Sequence, residues 1–84
     1  MDQSEWPEKI KLIWDFRGPA AEKIAQHHEI HLIDFIKREN TRFNITGIEH
    51  VSEMHTLVFM VIGKEEMDVV REKLKPVRAQ EYEG

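Results

Sequence analysis

The run from Met54 to Ile62, MHTLVFMVI, is the most apolar stretch of the chain. It falls well short of the ~20 apolar residues that cross a bilayer, and its β-branched and aromatic content suits a strand. Its two alternating sets, Leu57, Phe59 and Val61 against Val58, Met60 and Ile62, are equally apolar. Such a strand needs cover on both faces, which places it at the centre of a sheet. The rest of the chain has to supply that cover within 84 residues and without a cysteine. One domain fits that length, burying roughly 60% of its unfolded surface with no disulfide or thiolate metal site to help.

Three further strands are predicted. Residues Lys9 to Phe16 alternate, with Ile10, Leu12, Trp14 and Phe16 on one side and Lys9, Lys11, Ile13 and Asp15 on the other. Residues Ile45 to Val51 form a second strand that turns at Ser52 and Glu53 into the apolar run, and Val77 to Tyr82 form a short last strand at an edge. The stretch from Arg17 to Asn40 is the longest periodic segment. Gly18 and Pro19 open a helix there, Glu22 suits the positive end of its dipole, Lys37 and Arg38 suit the negative end, and Asn40 stops it. Ala21, Ile24, Ala25, Leu32, Phe35 and Ile36 share its apolar face, while Ile30 and Ile33 point away as a surface for a partner to cover. Gly63 ends the apolar run, and Lys64 to Lys75 form a second helix with Met67, Val70 and Leu74 as its buried stripe, ended by Pro76. Residues 1–8 are expected to be a flexible amino-terminal segment and residues 9–84 a single domain.

The order strand, helix, strand, strand, helix, strand is the split βαβ pattern. It predicts an α+β, ferredoxin-like βαββαβ fold, a four-stranded antiparallel sheet with two helices on one face. The other face is predicted to carry Ile13, Met54, Val58, Met60 and Ile62, too apolar for water, so a homodimer packed through the sheet face is expected; the plainer alternative is that the terminal segments fold across it. The chain resembles the ferredoxin-like folds at this point, and within them the dimeric α+β barrel group. The run His28-Glu29-Ile30-His31-Leu32 is similar to the histidine-bearing first helix of YciI-like small proteins of that group. That resemblance implies a small-molecule cleft between the first helix and the sheet, in a group that includes cofactor-free monooxygenases, isomerases and lactonases.

The histidines carry the chemistry. His28 lies in the middle of the helix's apolar face, either as a neutral core residue or as a general base facing a cleft with its pKa lowered by burial. His50 and His55 flank the Ser52-Glu53 turn; a two-residue turn there makes them cross-strand neighbours on the helix side of the sheet, converging with Trp14 and the first half of the helix. Trp14 needs a partner for its N–H. Arg17, at the helix start, suits an anion, although an ion pair with Asp15 is the plainer reading. His27, His31 and Asp34 share a helix flank, a ligand set of the type that holds zinc or iron; no cofactor is otherwise implied.

Net charge is −4 and the charges are mixed, without the basic stripe that nucleic acid requires. The start MDQSEWPEK has neither the basic residues nor the apolar run of a signal peptide, and no membrane span is present, so a soluble, cytoplasmic protein is expected. Three function classes remain: a homodimeric small-molecule-binding or regulatory domain, with Trp14, Arg17, His28, His50 and His55 around a cleft; a cofactor-free enzyme using His28 or His55 as acid/base; and a metal-binding protein using the helix histidines.

Overall fold

The computed structural model describes residues 8–82; the amino-terminal segment, apart from Glu8, lies outside them. Strand β1 (Lys9–Arg17) leads into helix α1 (Ala21–Glu39), then β2 (Thr46–Ser52), β3 (His55–Gly63), a 3₁₀ turn (Lys64–Glu66), α2 (Met67–Leu74) and β4 (Arg78–Glu81). The strands form one antiparallel sheet in the order β2-β3-β1-β4. Both helices cover one face, the ferredoxin-like arrangement expected from the element order. The sheet does not close: β2 and β4 are its free edges. The likeness to the dimeric α+β barrel group, YciI-like proteins included, therefore fails at the level of architecture, because element order alone does not say whether a sheet curls shut.

Helix α1 begins two residues after Pro19 and ends on Asn40, which takes the left-handed conformation (φ 53°) while its N–H returns to the Ile36 carbonyl. Ala21, Ala25, Leu32, Phe35 and Ile36 are buried; Ile24 is not, at 46% exposure. Helix α2 stops on a second left-handed residue, Lys75, before Pro76. Arg42 ties the loop after α1 to the end of the sheet where β1 starts and β3 finishes, pairing with Glu8 and Glu65 and donating its backbone N–H to Glu66 at 3.0 Å.

The core is a single cluster in which Ile10, Leu12 and Trp14 of β1 lie beside Ile62, Met60 and Val58 of β3, under Leu32, Phe35, Ile36, Met67 and Val70. Directly opposed residues of an antiparallel pair share a face. Val58, Met60 and Ile62 therefore point toward the helices, not toward the open face where they were expected. The open face instead carries Ile13, Leu57, Phe59 and Val61 among Lys11, Asp15, Arg17, His55 and Arg78. Nor is it bare: Ile13, Leu57 and Val61 are 1%, 5% and 0% exposed in the single chain. Lys11 lays its ammonium 4.4 Å from the Phe59 ring centre and pairs with Glu49 at 3.2 Å. Ile13, Leu57 and Val61 therefore do not form the exposed apolar surface from which a face-to-face homodimer was inferred.

The cause of the reversal is the β2–β3 hairpin. Its turn is Glu53-Met54, one residue later than expected, because the Ser52 hydroxyl accepts the Met54 N–H at 3.3 Å and the Met54 carbonyl accepts the Gly18 N–H at 2.7 Å. A bulge between His50 and Ser52 absorbs the extra residue. A shift of one residue exchanges the faces of a strand. His50 consequently pairs with Thr56 on the helix side, while His55 pairs with Ser52 and with Arg17 on the open side.

Candidate functional site

The sheet thus divides the predicted site residues into two groups. On the helix side, His28 of α1 meets Trp14 and Phe16 of β1, with ring centres 4.9 Å and 5.5 Å apart in tilted and edge-on contacts. Trp14 finds its partner in the Leu74 carbonyl, 2.9 Å from its indole nitrogen. These rings occupy the space between α1 and the sheet in which a ligand cleft was expected. His28 Nε2 is buried without a hydrogen-bond partner in that space. Burial, with a smaller contribution from His31, holds its pKa below the ordinary imidazole value, so the ring is neutral at neutral pH. His50 stands apart at the exposed rim, 3.6 Å from the Glu22 carboxylate.

On the open side, four residues from three strands form a continuous chain of hydrogen bonds. Arg78 of β4 grips Asp15 of β1 through two contacts, Nε to Oδ2 at 2.9 Å and Nη2 to Oδ1 at 3.1 Å. Asp15 Oδ1 also lies 2.7 Å from His55 Nε2, and His55 Nδ1 lies 3.3 Å from Arg17 Nη1. Arginine has no acceptor. Nδ1 of His55 must therefore accept from Arg17, which leaves the ring proton on Nε2, donated to Asp15. The Arg78 guanidinium drives the Asp15 pKa from 3.8 down to about 2; burial opposes this and His55 assists it. The raised pKa of Arg78 is the same contact seen from its other partner. Asp15 and His55 are only 10% and 13% exposed in their side chains, so the centre of the network is firmly seated while Arg17 stands out at its end.

The expected ion pair between Asp15 and Arg17 is replaced by this relay, because a cross-strand arginine reaches the carboxylate. Arg78 was missed at the sequence level. The available signal was topological: a last strand placed beside β1 puts a basic residue of that strand on the face of Asp15.

His27, His31 and Asp34 do not assemble. His27 and His31 are exposed on α1, Asp34 faces Arg38 at 3.5 Å, and among the described residues no group of three or more His, Cys, Asp or Glu comes together to hold a metal ion. Marked depressions lie elsewhere, one of about 270 Å³ between α2 and β4 lined by Met67, Arg71 and residues 76–79, another on the back of α1 beside Ile30 and Ile33. Among the described residues no helix is long and apolar enough to cross a membrane. No protein family, curated protein or solved structure matches the chain.

Proposed function

We propose that the chain is a small binding domain whose recognition surface is the open face of the sheet around Asp15, Arg17, His55 and Arg78. One observation carries this reading. Polar side chains from three strands are ordered into one hydrogen-bonded relay over the buried platform of Ile13, Leu57 and Val61. Ordering long side chains costs conformational entropy, and a surface that is already ordered spares a ligand that cost. All four residues belong to one chain, so a second copy is not needed to complete the site.

Amide NMR with a set of small soluble fragments tests the proposal. The expected result is saturable shifts confined to the amides of Asp15, Arg17, His55 and Arg78 and their strand neighbours. Shifts that gather instead in the α2–β4 depression or on the back of α1 would refute it.

A second reading, acid/base catalysis, draws on the 2.7 Å contact between Asp15 and His55, which orients the imidazole as a carboxylate orients a general base. Against it, Nδ1 already accepts from Arg17, and neither residue lines the α2–β4 depression or the one on the back of α1, the concave kind of place in which small-molecule chemistry is usually enclosed.

A further inference from the structure

We propose that Arg17, positioned by His55, binds the oxyanion of a small organic acid or phosphate ester. The proposal rests on the reading of the open face as the recognition surface and names what that surface takes.

Charge is the first support. Among the described residues, Lys11, Arg17 and Arg78 on this face stand against Asp15 and Glu49, a cationic surplus in a chain whose net charge is −4. A local field of that sign concentrates anions at the face.

Pairing is the second support. Asp15 is taken by Arg78 and Glu49 by Lys11, so both carboxylates of the face are engaged. Arg17 is exposed, and among the described residues its side chain meets no carboxylate, only the His55 imidazole. A guanidinium has five N–H donors in a rigid planar fork. One of them is committed to Nδ1, which tethers one end of the fork, and among the described residues no carboxylate takes the others.

Position is the third support. His55 cannot drift, because Nε2 is held by an Asp15 that Arg78 holds in turn. His55 is thus a positioning residue for Arg17. A planar fork tethered in this way suits the two oxygens of a carboxylate or phosphate.

The test is an NMR titration of the folded chain, labelled at arginine Nε and at the histidine rings, with sodium phosphate and separately with sodium acetate at constant ionic strength. Saturable shifts at Arg17 and His55 are expected, and the two salts show which oxyanion is preferred. R17Q should weaken binding by roughly tenfold or more, the loss expected for a charge-assisted contact. R71Q, which removes an exposed arginine on α2, should leave it unchanged. The proposal fails if no shift saturates at tens of millimolar salt, or if R17Q and R71Q bind alike. The same sample, screened with uncharged and cationic fragments, separates this failure from the larger one. Fragments that perturb the open face while phosphate and acetate do not overturn the oxyanion assignment alone. A face that no compound perturbs overturns the recognition surface as well.

Discussion

Asp15 accepts hydrogen bonds from β3 and β4 at once, and its lowered pKa links the open face to pH. The folded chain holds this carboxylate ionised down to about pH 2, whereas the unfolded chain takes up the proton near 3.8. The stabilisation is therefore complete above about pH 4 and is lost as pH falls toward 2. A shift of that size corresponds to about 2 kcal/mol. Asp15→Asn should lower the urea stability by about that amount at pH 7 and flatten the pH dependence between 4 and 2. An unchanged acid limb would show that the contact with Arg78 contributes little. His28 acts with the opposite consequence for design. Its lowered pKa means the unfolded chain binds a proton that the folded chain resists, so stability falls as pH drops below about 6.5. Its buried Nε2 also lacks a partner. His28→Leu should raise stability at pH 7 by about 1 kcal/mol, the cost of one unsatisfied buried group, and by more at pH 5. Equal melting shifts at the two pH values would refute the link to protonation.

At the level of elements, the strands and helices follow from period and punctuation. Asn40 and Lys75 close their helices in left-handed geometry, and the alternation of Lys9 to Phe16 predicts correctly which side of β1 meets the core. The facing of β3 was not legible, because its two sides are equally apolar and periodicity carries no information about phase. That phase is set instead by a serine hydroxyl, a carbonyl contact to Gly18 and a bulge, all of which are tertiary facts. The candidate site inherits the same limit. Arg17 and His55 were both identified from sequence, and Asp15 as a partner for Arg17, but the contacts that join them to one another and to Arg78 depend on strand order and register. Met60 now belongs to the core at 0% exposure. Met60→Lys would bury an unpaired charge at a cost of several kcal/mol, comparable with the roughly 4–12 kcal/mol that holds a domain of this length together. Loss of the cooperative urea transition is expected; a folded Met60→Lys variant would contradict the register.

Taken whole, the molecule is a layer of two helices on an open sheet, with aromatic rings filling the helix side and an ordered polar relay on the other. Aromatic rings pack where a ligand was expected, and the face expected to be exposed and apolar carries polar side chains over buried apolar ones. The hairpin bulge separates these two descriptions. The hairpin register leaves His50 toward Glu22 at the helix rim and His55 with Asp15 on the far side of the sheet, and the surplus Val51 lets the two strands pair on both sides of the bulge. Hairpin tips tolerate insertion and deletion more readily than strand centres do. Loss of the bulged Val51 would therefore leave His50 opposite Thr56 and both imidazoles on the faces they hold now, whereas one residue inserted on the β3 side of the tip, between Thr56 and Leu57, would turn His55 toward the helices and away from Asp15 and Arg17.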